Sequence, residues 1–120
     1  MIKLLLIPGA NCVFILNDQE EVIKVLGEPG PAKSDPGVFY DPAGAVFLPD
    51  GRLLVADSWN HRIQTFGNGF EGIVDLTVKE GVSDVKRIAG LNLAESGGVL
   101  FLAVFHYQPV PAVTIFKMTP

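Results

Sequence analysis

The chain has 120 residues, of which 48% are hydrophobic and 18% are charged, so it carries enough apolar material for one modest folded domain and is not expected to be disordered. Its formal net charge is -4, and the nine basic residues are scattered, with Lys86 and Arg87 as the only adjacent pair. Binding to a phosphate backbone usually requires a concentrated basic face, so nucleic acid is not an expected partner.

The first predicted element is a short apolar run near the N-terminus, from Leu4 to Ile7. It is shorter than the ~7–15 apolar residues of a signal peptide, and even the longest apolar run, from Val99 to Phe105, falls far below the ~20 residues of a membrane span. We therefore expect a cytoplasmic protein without a membrane segment. Cys12, the one cysteine, cannot form an intrachain disulfide, and its apolar neighbours indicate a small buried side chain.

The clearest pattern along the chain lies between Pro42 and Phe66. Three runs, at 43–48, 53–56 and 62–66, are separated by a Pro-Asp-Gly turn and by a polar turn at 57–61. Asp-Gly between apolar runs favours a hairpin, since glycine accepts positive φ. The segment therefore predicts a three-stranded antiparallel meander, and the many Gly and Pro residues between apolar runs favour an all-β protein.

Two weaker units flank this segment at similar spacing. A shift of forty residues places 13–16 on 53–56 and Ile23 on Ile63, and a shift of forty-six places Gly90 on Gly44 and 99–102 on 53–56. Beyond residue 103 this second alignment breaks, which indicates an insertion around 108–111.

Units of about forty residues with several strands each are typical of β-propeller blades, although a β-sandwich with coincidental spacing is an alternative. We interpret residues 1–120 as a single propeller segment with approximate blades at 1–40, 41–85 and 86–120. The continuously apolar strand at 53–56 supports burial on both faces.

The residues from Asp41 to Phe66 resemble the NHL repeat. They combine the proline and glycine of Pro42 and Gly44, the "VAD" strand end and an asparagine-histidine-arginine-isoleucine hairpin, and the segment from Val25 to Gly30, including Pro29, is similar to the connector that precedes such blades. The resemblance implies an NHL-type β-propeller. The flanking units depart from the pattern, since the third has Ala103 where the repeat has its acidic residue.

We interpret the signature residues as structural rather than functional, because a motif that recurs in every blade is normally one that the fold needs. Asp57 is expected to accept hydrogen bonds from the backbone of the turn. Arg62 is expected either to pair with Asp57 or to reach the next blade. Asn60 suits a positive φ in the turn, and Ile63 is expected to pack between blades. The structural set is Pro42, Gly44, Gly51, Asp57, Arg62 and Ile63.

Two kinds of function remain open. The favoured one is a non-catalytic scaffold that binds a protein or peptide through a rim comprising Asp57, Trp59, Asn60, His61, Phe105, His106 and Tyr107, with Trp59 and the aromatics at 105–107 as exposed contact residues. Trp59 equally fits packing on the neighbouring blade's turn. The alternative is a propeller-type lyase or hydrolase, or a fragment of one, with His61 and Asp57 as its acid–base or metal-binding residues.

No cofactor or metal is expected, because two histidines and one cysteine satisfy no common metal site and the usual nucleotide and acyl-transfer motifs are missing. Each histidine is expected to be an exposed turn or rim residue. A closed propeller typically needs ~4–8 blades, so three are too few. The chain is therefore expected to be a piece of a longer propeller, a protein that self-associates as a dimer to close the ring, or an open, capped arc.

Overall fold

The computed structural model describes residues 2–7, 9–28, 30–31, 34–71, 74–75 and 86–118. This part of the chain is built from strands and one short 3-10 helix, Ser58–Asn60, which confirms the predicted all-β class. The strands are β1 (Lys3–Leu6), β2 (Cys12–Leu16), β3 (Val22–Gly27), β4 (Pro42–Phe47), β5 (Leu53–Asp57), β6 (Arg62–Phe66), β7 (Val74–Asp75), β8 (Lys86–Ser96), β9 (Val99–Gln108) and β10 (Ala112–Lys117). Nowhere in these ranges is there a helix with the length and hydropathy that a membrane crossing requires.

The described strands form three antiparallel meanders that follow one another along the chain. The first sheet has the order β1-β2-β3, the middle sheet β4-β5-β6-β7 and the third β8-β9-β10. The first strands of the three sheets are neighbours, with β4 in contact with both β1 and β8. The predicted meander is confirmed as the middle sheet, which has β7 as a fourth strand. Pro29 and residues 76–85, which the sequence assigned to a connector and to the second blade, lie outside the described residues.

The sheets pack face to face, and each junction holds its own apolar cluster. Between the first and middle sheets lie Val13, Ile15, Leu26, Phe39, Leu53, Val55 and Phe66. Between the middle and third sheets lie Leu48, Leu54, Ala56, Ile63, Ile88, Leu102, Val104 and Met118. We call the face that a sheet turns toward the next sheet in chain order its leading face, and the opposite one its trailing face. The middle sheet is covered on both faces, which explains the unbroken apolar run at 53–56.

Gly44 and Gly90 bring β4 and β8 into close approach. A Cβ atom on Gly44 would lie 3.2 Å from the Cα atom of Gly90 and 3.3 Å from the backbone nitrogen of Leu91. The glycine of the repeat therefore acts at the junction between sheets, where the backbone of one innermost strand touches the next.

The register of the first sheet corrects the alignment at forty residues. Val13 and Ile15 lie on the leading face of their sheet, as Leu54 and Ala56 do in theirs, so β2 matches β5 with a shift of forty-one. The β1–β2 hairpin is one residue shorter than the β4–β5 hairpin. Because side chains alternate between faces, the one-residue error assigned each of these residues to the wrong side of the sheet.

The third sheet also departs from its predicted alignment. Gly90 matches Gly44 as predicted, since each follows a register irregularity in the first strand of its sheet. The partner of Gly44 across the sheet is Ala56, however, and the partner of Gly90 is Phe105, so the second strand is shifted by forty-nine residues instead of forty-six. The added residues extend the β8–β9 hairpin by three and the β9–β10 turn by one, so the insertion begins before the predicted site at 108–111.

Candidate functional site

The carboxylate of Asp57 is the centre of a buried polar cluster at the end of β5. The side chain is fully buried, and Arg62, which opens β6 directly across the hairpin, donates its Nε hydrogen to Oδ2 at 2.7 Å. Oδ2 also accepts from the side-chain amides of Asn60 at 2.9 Å and Gln64 at 3.1 Å. Oδ1 accepts from the backbone N–H of Tyr40 at 2.8 Å. We call Asp57, Asn60, Arg62 and Gln64 the Asp57 cluster.

The Asp57 cluster fixes the connector that arrives from the first sheet. The guanidinium of Arg62 donates to the backbone carbonyls of Ser34, Asp35 and Val38 at 2.8–2.9 Å. Gln64 donates to the Val38 carbonyl and accepts from the Gly37 N–H, both at 2.8 Å. A buried carboxylate with four donors is stable because charge-assisted hydrogen bonds replace its hydration. The cluster therefore holds residues 34–41 against the sheet, which is a structural task.

The turn between β5 and β6 holds the sheet that follows. His61 adopts a left-handed backbone conformation with φ 54°, and its Nδ1 atom accepts from the backbone N–H of Arg87, the second residue of β8, at 3.0 Å. The Arg87 guanidinium also donates to the hydroxyl of Ser58. Asn60, predicted to take positive φ, lies in the 3-10 helix, and His61 has the positive φ instead.

Trp59 and Tyr40 form an exposed aromatic pair beside this turn. Their side chains are 43% and 44% exposed, and the ring centroids are 6.0 Å apart. The backbone N–H of Trp59 donates to the carbonyl of Tyr40 at 3.1 Å, and the Arg87 guanidinium lies 3.5 Å from the Trp59 ring centroid, a cation–π contact. Trp59 thus packs against Arg87 of the next sheet on one side of its ring and remains half exposed. Sequence reasoning missed Tyr40, because its place depends on the folded connector.

His106 is buried, which contradicts its expected position on an exposed rim. Its side chain is 3% exposed, Nδ1 lies 2.9 Å from the carbonyl of Gln108, and Nε2 lies 2.7 Å from the hydroxyl of Thr114. A carbonyl only accepts, so Nδ1 is the donor in the bond to Gln108. His106 pairs with Ala112 at the start of the β9–β10 hairpin, as Asp57 pairs with Arg62. The third repeat therefore has His106 where the middle one has Asp57, and Ala103 is not the matching residue.

Phe105 and Tyr107 point to the side of β9 opposite His106. They are 41% and 50% exposed and make an edge contact with ring centroids 5.6 Å apart. Because side chains alternate between the two faces of a strand, Phe105 and Tyr107 lie on the face opposite His106. The residues predicted to form one rim therefore do not share a surface. Asp57 and His106 are buried, whereas Trp59, Phe105 and Tyr107 are accessible.

Several of the described side chains considered for catalysis or metal binding are buried or already hydrogen bonded. Within the described ranges no three His, Cys, Asp or Glu side chains converge in a way that could hold a metal ion. Cys12 is buried, and burial raises the pKa of its thiol. The oxygens of Asp57 are already occupied by four donors, and Nδ1 of His61 accepts a backbone hydrogen bond.

A cleft of about 470 Å³ lies where the first hairpins of the middle and third sheets meet, at the end of the strands opposite Trp59. Its described lining is mainly apolar and includes Leu48, Leu100 and Met118. Asp50 and Arg52 form an exposed ion pair at its edge with a 2.8 Å separation, and hydrogen bonding by the Arg52 backbone N–H lowers the pKa of Asp50. Nothing among these groups is buried, polar and unpaired, so the lining does not indicate a ligand.

Comparison with known proteins agrees with the geometry of the middle sheet. The family model described as NHL repeat matches residues 39–66, which begin just before β4 and end with β6. Comparison with curated proteins gives no match. The matched residues include the whole Asp57 cluster and the turn that holds β8. The chain therefore contains an NHL repeat, which forms its middle sheet within an all-β array of three antiparallel sheets.

Proposed function

We propose that this chain is a non-catalytic propeller scaffold that binds a protein or peptide through the exposed pair Tyr40 and Trp59. An NHL repeat supports a propeller-type domain in general, and the identity of the surface used for binding is our inference. Of the accessible aromatics predicted from the sequence, Trp59 is the one that lies within the residues matched by the NHL model, where it forms a pair with Tyr40.

The observation that carries this proposal is an exposed aromatic pair on a fixed backbone. The Asp57 cluster holds the connector that carries Tyr40, while His61 and Ser58 hold the turn against Arg87 of the next sheet. A partner that binds here would order little of the scaffold, so less of the binding free energy is lost to ordering it. Tryptophan and tyrosine are also the residue types that dominate binding energy in protein interfaces.

The same contacts favour a scaffold over the lyase or hydrolase alternative. An acid–base or metal role for Asp57 would require displacement of donors that hold the connector, including Arg62 at 2.7 Å. His61 is similarly engaged through Nδ1. We therefore assign Asp57 and His61 to the support of the binding surface rather than to chemistry.

A peptide library displayed on phage tests this proposal. Peptides are selected on the full chain and their binding is then measured on Trp59→Ala and on a control variant, Val110→Ala, which is 60% exposed in the turn between β9 and β10. We expect Trp59→Ala to weaken binding about 30-fold or more, as loss of an aromatic hot spot does, and Val110→Ala to leave it unchanged. Binding that survives Trp59→Ala in a folded protein would contradict the proposal.

Two further assignments remain proposals. We propose that the chain self-associates, because the outer faces of the first and third sheets are apolar and exposed, with residues such as Val25 and Ile115 at 38% and 65% exposure.

We also propose a cytoplasmic location, which rests on the sequence.

A further inference from the structure

The third sheet carries an exposed leading face that matches a buried one within the same chain. In the middle sheet, Gly44, Ala56 and Ile63 pair across three strands, and Ala56 and Ile63 are 0% and 1% exposed against the third sheet. The corresponding row of the third sheet is Gly90, Phe105 and Val113. Here Phe105 is 41% and Val113 is 55% exposed.

The first sheet carries the opposite kind of exposed face. Leu5, Phe14 and Val25 pair across β1, β2 and β3 on its trailing side, with Leu5 44% and Val25 38% exposed. The corresponding row in the middle sheet is Ala45, Val55 and Gln64, of which Val55 lies in the cluster shared with the first sheet. Inside the chain, a trailing row is therefore what covers a leading face.

These correspondences specify what fits each exposed face. Both internal junctions are formed in the same way, with the leading face of one sheet against the trailing face of the next. By the same rule, the exposed leading face of the third sheet would pack against a trailing face. The first sheet of the chain has an exposed trailing face of this kind. A like-with-like contact would instead place Phe105 and Val113 of one copy against the same residues of the other, a packing that neither internal junction uses.

We propose that a second copy of this chain docks head to tail, with the trailing face of its first sheet on the leading face of the third sheet. This inference rests on the proposed self-association and adds which surfaces meet. With two-fold symmetry about the propeller axis, both junctions form at once and two copies bring six sheets into one ring, within the ~4–8 blades that closed propellers use. The repeating junction thus continues between copies.

Two complementary surface variants test the arrangement in the full chain. Val113→Asp places a charge on the leading face, and Leu5→Lys places the opposite charge on the trailing face, both at exposed positions. In a head-to-tail dimer of either variant, each junction contains one altered face. We expect each variant alone to raise the dimer Kd about 100-fold, since an isolated charge would be buried against apolar side chains.

The mixture of the two variants distinguishes this geometry from others. A mixed dimer has one unaltered junction, and its second junction contains both the new aspartate and the new lysine. We therefore expect analytical ultracentrifugation of the equimolar mixture to show dimers at concentrations at which each variant alone is monomeric. Circular dichroism establishes that each variant is folded, and Val25→Lys replaces Leu5→Lys if β1 does not form.

Other outcomes overturn the inference separately from the proposals above. If either variant alone remains dimeric, the copies meet through like faces or through another surface, and self-association stands without the head-to-tail arrangement. If the mixture stays monomeric, the two faces are not partners. A wild-type protein that is monomeric overturns both self-association and the arrangement. Trp59→Ala serves as a control and should dimerise as the wild type does, so a loss of peptide binding there is independent of assembly.

Discussion

At the scale of single residues, burial decides what an aspartate–arginine pair does in this protein. Asp57 and Arg62 lie 2.7 Å apart with side chains 0% and 14% exposed, whereas Asp50 and Arg52 lie 2.8 Å apart with 56% and 35% exposed. The distances are nearly the same. Only the buried pair has lost most of its hydration, so only there does removal of one partner leave a charge without adequate solvation.

Asp57→Asn should therefore destabilise the fold much more than Asp50→Asn. We expect Asp57→Asn to lower the free energy of unfolding by about 3 kcal/mol, because the Arg62 guanidinium stays partly buried without its counter-charge. Asp50→Asn should change it by no more than about 0.5 kcal/mol, as for most exposed pairs. Urea denaturation followed by circular dichroism measures both. Equal losses in the two variants would contradict the role assigned to burial.

The thiol of Cys12 should be unreactive in the folded protein. It is 0% exposed, and burial raises its pKa, so both access and the thiolate fraction are reduced. Ellman's reagent should label it slowly in buffer and to completion in concentrated urea. Rapid labelling in buffer would show that β2, the central strand of the first sheet, becomes accessible readily.

At the scale of strands, the sequence predicts the middle sheet well and the flanking sheets only in outline. The turn residues and apolar runs of the NHL repeat define β4, β5 and β6 to within one residue, because each local preference agrees with the fold. Hairpins that differ by one and three residues shift the registers on either side. A hairpin that is one residue shorter moves each side chain of the next strand to the other face of the sheet. Because β2 is apolar along its length, its sequence looks the same in either register, and the apolar pattern alone could not distinguish the two.

The candidate site was predictable to a similar extent. The turn pattern predicts Trp59 as an exposed turn residue and Asp57 as the partner of Arg62 across the hairpin. The burial of His106 and the contribution of Tyr40 depend on an inserted hairpin length and on a folded connector, respectively. Neither leaves a local signal in the residues around it.

Gly44 should tolerate a methyl group less well than Gly90, although the two occupy matching positions. A Cβ atom at Gly44 meets backbone atoms of β8 at 3.2 and 3.3 Å, while one at Gly90 has its nearest neighbour, the Cβ of Phe105, at 4.0 Å. At a dilution at which the chain is monomeric, we expect Gly44→Ala to lower the thermal midpoint through about 1–3 kcal/mol of overpacking and Gly90→Ala to leave it nearly unchanged. Differential scanning calorimetry compares them. A tolerated Gly44→Ala would mean that β4 and β8 can separate without cost.

At the scale of the whole molecule, the three sheets provide two internal junctions and leave an apolar face at each end of the array. The middle sheet is protected on both sides, while the outer rows that include Leu5 and Val113 are not. Stability of the outer sheets should therefore depend on what covers these faces.

Thermal stability should rise with protein concentration if a second copy covers the outer faces. Binding that is specific to the folded state raises the unfolding midpoint, by about 2.7 kcal/mol of stabilisation at a partner concentration one hundred times the Kd. The wild type and Trp59→Ala should show this dependence, and Val113→Asp should not. Scanning calorimetry across a dilution series measures it. A midpoint independent of concentration in the wild type would show that the faces remain uncovered.

The hydrogen bonds from Arg62 and Gln64 to residues 34–38 have a consequence for modularity. The sequence motif begins near Asp41, but the piece of chain that the motif holds begins several residues earlier, in the connector that leaves the first sheet. A graft, permutation or deletion cut just before β4 would thus keep every signature residue and still discard what they bind. The segment that must be kept together for the middle sheet therefore begins several residues before the sequence motif.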